Sequence, residues 1–196
     1  MAKAKPLGVH VTNYEVKSQD FPFHARSFYV MVHEWMLEHE FAPDAADPNF
    51  PETMYYEARQ QDGRREIWCW WRNKYVPQNN PFYRYALNVN MHWLGAKDTD
   101  IVQNGRKLKL QKGEFWFSVQ AVLEVDYQNK WRTHWLLKHL LETFWKRFIW
   151  KDLEKHRHTL YKISYDLRND VMQFLQIRQP EQKPKSWWPA MGYVEN

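Results

Sequence analysis

One cysteine and six glycines are all that 196 residues contain of either type, and each scarcity closes off a class of function. A lone Cys69 cannot form an internal disulfide framework, and we read it as a small buried hydrophobe rather than a reactive thiol. The few glycines form no loop that could cradle a phosphate, and no Gly-x-Ser-x-Gly nucleophile turn occurs. Long apolar runs are missing as well. Charge interrupts every apolar cluster well before the roughly 20 residues a membrane span needs. The start, Met1-Ala-Lys-Ala-Lys-Pro-Leu-Gly8, has no apolar stretch of the signal-peptide kind, and no Asn-x-Ser/Thr sequon is present. These gaps lead us to expect a cytoplasmic protein without a membrane span.

Nine histidines invite a search for metal ligands, but their spacing is wrong. His33 and His39 are six apart and His134 and His139 five apart, so neither pair shares a helical face as His-Glu-x-x-His does. His139 and Glu142 could share one, but a di-metal bundle needs several such pairs. His156 and His158 fall on different sides of a helix. Carboxylate pairs such as Glu34/Glu38 and Glu57/Glu66 are of a kind that any protein surface offers. We therefore assign no catalytic, cofactor-binding or metal-ligating residue and expect no cofactor. The net charge of +5 comes from basic residues spread along the chain, which reads as a solvated surface before a nucleic-acid footprint.

Aromatic residues, by contrast, are abundant: 12 Trp, 11 Tyr and 11 Phe. That exceeds what one core of this size usually takes, and aromatics dominate interfaces because they bury large area at low side-chain entropy cost. Val9 to Lys17 has a weak strand pattern, with Val9 and Val11 on one side and Tyr14 and Val16 on the other. Asp20 offers a helix cap with Pro22 in the first turn. Ala25, Phe28, Val32, Trp35 and Met36 recur at helical spacing, so a helix is expected over 22–39. Residues 41–51, with three prolines, read as a loop. Strand 82–94 alternates Tyr83, Tyr85, Leu87, Val89, Met91 and Trp93 against Arg84, Asn88, Asn90 and His92. A turn is expected at Gly95–Asp98 and a tight hairpin at Asn104-Gly105, with Lys107 and Lys109 guarding an edge. From Gly113 a further strand places Phe115, Phe117, Val119, Ala121, Leu123, Val125 and Tyr127 opposite Glu114, Trp116, Ser118, Gln120 and Glu124. After Trp131 the period becomes helical, and no Gly or Pro falls before Gln179. That stretch is one bent helix or two abutting ones, with Thr159, Tyr161 and Lys162 exposed.

Residues 52–75 hold the most distinctive pattern. Asp62-Gly63 signals a two-residue type I′ hairpin, in which Gln61 faces Arg64. One face then carries Met54, Tyr56, Ala58, Ile67, Cys69 and Trp71, an ordinary core set. The other carries Tyr55, Glu57, Arg59, Glu66, Trp68, Trp70 and Arg72, large rings mixed with charges. Trp116 and Arg84 are expected near it. A Pro-rich tail, 179–196, ends in Ser-Trp187-Trp188-Pro, and adjacent tryptophans in a polar arm are costly to leave in water.

The order strand, helix, antiparallel meander, long C-terminal helix resembles the helix-grip arrangement, in which a curved sheet wraps a helix around an apolar ligand cavity. Residues 20–175, with His33-Glu-Trp-Met-Leu37 and Tyr83-Arg-Tyr85, also resemble small uncharacterised archaeal proteins, a likeness that implies no known activity. The chain thus reads as α+β: an antiparallel sheet of five or six strands packed against an N-terminal helix and a long C-terminal helical segment. Residues 1–178 form a single domain and 179–196 an arm. The leading functional expectation is a non-catalytic self-assembling or protein-binding subunit. It would use Tyr55, Trp68, Trp70, Arg72, Trp116, Trp187 and Trp188, with itself or another protein as partner. The alternatives are a single-stranded nucleic-acid binding module, with Glu57, Glu66, Glu114 and Glu124 opposing phosphate, and a helix-grip-like binder of an apolar small molecule, for which the bulky aromatics leave little room.

Overall fold

A computed structural model describes residues 7–19, 22–43, 51–103, 106–135, 137 and 149–176. The 179–196 arm with Trp187 and Trp188, the Asn104-Gly105 turn, Asp20 and residues 138–148 lie outside that set. In chain order the elements are β1 (Leu7–Ser18), α1 (Ala25–Glu38), β2 (Ala42–Pro43), β3 (Glu52–Arg59), β4 (Arg65–Tyr75), a 3-10 turn (Pro77–Asn79), β5 (Tyr83–Gln103), β6 (Arg106–Val125), α2 (Lys130–Thr133) and α3 (Trp150–Phe174). The expected α+β class is what the chain adopts. Its six-stranded sheet has the order β1-β6-β5-β4-β2, with β3 on the same edge of β4 as β2; every pairing is antiparallel.

Alternation in β5 and β6 places Tyr83, Tyr85, Leu87, Val89, Met91, Trp93, Phe115, Phe117, Val119, Ala121, Leu123 and Val125 in the core. Period two does this because successive side chains of a strand point to opposite faces. Both α1 and α3 lie on that buried face. Phe28 of α1 is fully buried, with its ring 5.0–6.4 Å from those of Phe23, Trp93, Phe115, Phe117 and Phe174. Such pairs each contribute about 0.5–1.5 kcal/mol beyond area burial. Leu160, Leu167 and Val171 of α3 are fully buried and Thr159, Tyr161 and Lys162 exposed, as the helical period requires. Tyr14 fastens α3 to β1 by donating a 2.8 Å hydrogen bond to the Ser164 carbonyl. Bulky rings fill much of the space between helices and sheet, and a cleft remains beside the first turns of α1.

Four local expectations are corrected. The helix begins at Ala25, not in the first turn after Asp20: its N-cap is His24, whose Nδ1 accepts from the Ser27 amide. Phe23 cannot join the helix because two backbone hydrogen bonds tie it to Gln111. In β1 a bulge between His10 and Thr12 brings Val9 and Tyr14 to the same side, so Val9, Val11, Tyr14 and Val16 all pack against the core. Gly95–Asp98 is not a turn. It is a register shift within one continuous 21-residue strand, answered by Gly113 across the ladder.

The fourth correction concerns the β3–β4 hairpin. The amide of Gly63 donates to the Gln60 carbonyl and that of Gln60 to the Arg64 carbonyl, enclosing a three-residue loop that ends on Gly63 at φ +81°. This is the type I turn with a left-handed glycine, the next commonest hairpin after the two-residue form. Pairing therefore sets Tyr56 opposite Trp68 and Tyr55 opposite Cys69. A slip of one residue sends every side chain of a strand to the other face, and β3 is inverted relative to expectation.

Candidate interaction face

The pairing register assembles one row of side chains across five strands on the outer face of the sheet. Tyr56 of β3 faces Trp68 of β4, Trp68 faces His92 of β5, His92 faces Trp116 of β6, and Trp116 faces Lys17 of β1. Strand spacing of about 4.8 Å matches ring stacking, and the three middle members stack. The Trp68 and His92 centroids lie 3.6 Å apart at 16°, those of His92 and Trp116 4.7 Å apart at 25°, and the Lys17 ammonium lies 6.0 Å from the Trp116 ring. One Glu66 oxygen holds the stack in place. It lies 3.1 Å from the Trp68 Nε1–H and 3.0 Å from His92 Nε2, and as a carboxylate it accepts from both.

A second row, Met54–Trp70–Asn90–Ser118–Glu15, runs beside the first. Arg72 is folded onto it. Its guanidinium donates to Asn90 Oδ1 and to the Trp71 and Val89 carbonyls at 2.7–3.2 Å and lies 5.5 Å over the Trp70 ring. Burial pushes its pKa below the usual arginine value. The two rows leave a shallow groove of about 310 Å³ between Trp68, Trp70, Trp116, His92, Arg72 and Glu15. Farther along, Asn88 donates to Gln120 and Arg84 grips Glu124 at 2.6 Å.

Of the residues expected to interact, Trp68, Trp70, Arg72 and Trp116 come together here. Tyr55 does not: with Glu57 and Arg59 it lies on the opposite side of β3, where its hydroxyl donates to Glu57. Tyr56, expected in the core, takes its place and is 55% exposed. Trp187 and Trp188 lie outside the described residues. Tyr56, His92, Lys17 and Glu15 were not singled out from sequence. The sequence pattern places His92 on the polar face of the 82–94 strand, and only the three-strand register shows that it is the middle ring of a stack.

Charges on the face are partly compensated locally, since Lys17 meets Glu15 at 3.3 Å and Arg84 meets Glu124, while the Glu66 carboxylate is held by hydrogen bonds to Trp68 and His92. Among the described residues no group of three His, Cys, Asp or Glu side chains could hold a metal ion, and no helix is long and apolar enough to cross a membrane. Comparison with family models, curated proteins and solved structures returns no match.

Proposed function

We propose that this protein is a non-catalytic cytoplasmic subunit that assembles with a second copy of itself through the outer face of its sheet. The observation that carries the reading is the position of the helices. Among the described residues both long helices lie on the inner face and none covers the outer one, where Tyr56 is 55% and Trp70 38% exposed and Trp68, His92 and Trp116 are partly buried by one another. Stacked and hydrogen-bonded rings are already ordered, so covering them costs little side-chain entropy. Five strands at about 4.8 Å by the eight residues of β3 at about 3.3 Å give a face of roughly 630 Å². That approaches the roughly 800 Å² each partner contributes to a standard interface.

Local charge compensation favours a self-complementary partner over a polyanion. Phosphates would meet Glu15, Glu66 and Glu124 beside the rings, and three of the five Arg72 N–H donors are already committed to the protein. Glu57, however, lies on the other side and no longer counts against nucleic acid. Light scattering on the intact chain should give a mass above one subunit that drops to one subunit in Trp70→Glu. A monomeric mass for the unaltered protein at about 100 μM, well above the Kd a standard interface supports, overturns the reading.

A further inference from the structure

The inversion of β3 has a second consequence on the helix side of the sheet. Tyr55 points to the same side as fully packed Cys69, yet it is 54% exposed. Between the hairpin and the first turns of α1 there remains a cleft of about 300 Å³, the lower end of the range for small-ligand sites. Its floor is apolar, made by Ile67, Trp93 and Ala96, and Tyr29 and Tyr55 supply ring walls. Both tyrosine hydroxyls are turned to carboxylates outside it, Tyr29 to Glu52 and Tyr55 to Glu57. Burial, together with those carboxylates, raises both phenol pKa values, so the walls stay neutral.

The charged residues lining the cleft are of one sign. Among the described residues Arg26 and Arg65 border it and no carboxylate does, although Arg65 is paired with Asp98 just outside. The frame is braced before any ligand arrives: Arg65 donates to Asp98 at 2.6 Å, Gln111 donates to the same oxygen at 3.0 Å, and Gln111 Oε1 accepts from the Ala25 amide at 3.0 Å. Arg65 is thus fixed at the edge of an aromatic slot with guanidinium N–H groups to spare, since it carries five donors. Arginine matches carboxylate geometry in a way that few groups do.

We propose that this cleft is a binding site for a small aromatic carboxylate, its ring against Tyr29, Tyr55 and Trp93 and its anion between Arg26 and Arg65. The site is on the opposite side of the sheet from the assembly face and does not depend on it. Calorimetric titration of the full chain with 3-phenylpropionate, against 3-phenylpropanol and acetate, tests it. Saturable 3-phenylpropionate binding is expected with Kd below about 1 mM, at least about tenfold tighter than the alcohol, with no binding of acetate. Arg26→Met, on an exposed helical turn, should weaken the acid by about tenfold and leave the alcohol unchanged. Arg65→Met should do the same, and retained native circular dichroism would show that loss of its Asp98 pair has not unfolded it. No saturation at about 10 mM, equal affinity for acid and alcohol, or an Arg26→Met variant that binds the acid as tightly as the unaltered chain overturns the proposal.

Discussion

Replacing Gly113 by alanine should be several times more damaging than replacing Gly63, although both lie on hairpins and both have positive φ. At Gly63, φ is +81° and an added Cβ would meet nothing within 4 Å. The cost there is conformational alone, about 1 kcal/mol for a left-handed alanine. At Gly113 the Cβ would sit 2.9 Å from the Leu94 carbonyl oxygen and 3.1 Å from both the nitrogen and the Cα of Ala96. All three are backbone atoms of the neighbouring strand and cannot rotate aside. Relief requires opening the β5–β6 ladder at its register shift, which puts the cost near the top of the overpacking range, about 3 kcal/mol. For a chain of this length that corresponds to a fall in Tm of about 6–12 °C, against about 2–4 °C for Gly63→Ala. Urea unfolding should show the same ranking through the midpoint at an unchanged slope. Equal losses for the two variants would refute the close approach of the strands at Gly113. Because Ala96 lines the cleft beside α1, the same substitution should also weaken 3-phenylpropionate binding, whereas Gly63→Ala should not.

Cys69 is buried, and desolvation pushes its thiol up to about 12 despite the hydrogen bond from Trp71. Native protein at pH 8 should react with a maleimide at least about 100-fold more slowly than denatured protein, since the thiolate is the nucleophile; comparable rates would contradict its burial. His156 of α3 lies against Tyr83 and Tyr85, with its Nδ1 2.7 Å from the Tyr85 hydroxyl. Desolvation depresses its pKa, assisted by Lys155 and opposed by Asp152. Below about pH 6.5, the unfolded value, the unfolded chain takes up the proton more readily than the folded one. Stability is therefore complete above that pH and is lost as pH falls through the folded pKa. The decline in Tm between about pH 7 and pH 5 should be shallower in His156→Gln, and identical slopes in both proteins would remove the assignment.

The elements that could be read from sequence were those whose pattern is set by one-sided burial. In β5 and β6 every second residue is large and apolar, and no alternative register buries that set. The stripe Phe28, Val32, Trp35, Met36 fixes α1 in the same way. What could not be read were places where one residue type serves two geometries. Asp62-Gly63 suits a two-residue loop, but glycine also ends a three-residue loop, and the difference of one residue decides whether Tyr55 or Tyr56 joins the tryptophans. Gly95 looked like a turn because bulges and turns both use glycine at positive φ. The end of α1 was likewise hidden in a backbone detail. Glu40 at φ +60° closes it, with the amides of Glu40 and Phe41 bonded to the Leu37 and Met36 carbonyls, a Schellman arrangement without its usual glycine. Trp68 and Trp116 could each be picked out from the chain. That His92 is stacked between them depends on pairing across residues 24 apart on either side, which no local pattern contains.

Oxidative footprinting of the intact protein across a concentration series tests the proposed assembly face most directly. On this account hydroxyl-radical oxidation of Tyr56 and Trp70 falls as concentration rises, while Tyr161 and Trp150 of α3, 41% and 49% exposed, keep constant rates. Unchanged oxidation of Tyr56 and Trp70 at every concentration, or protection that appears on Tyr161 instead, would contradict it.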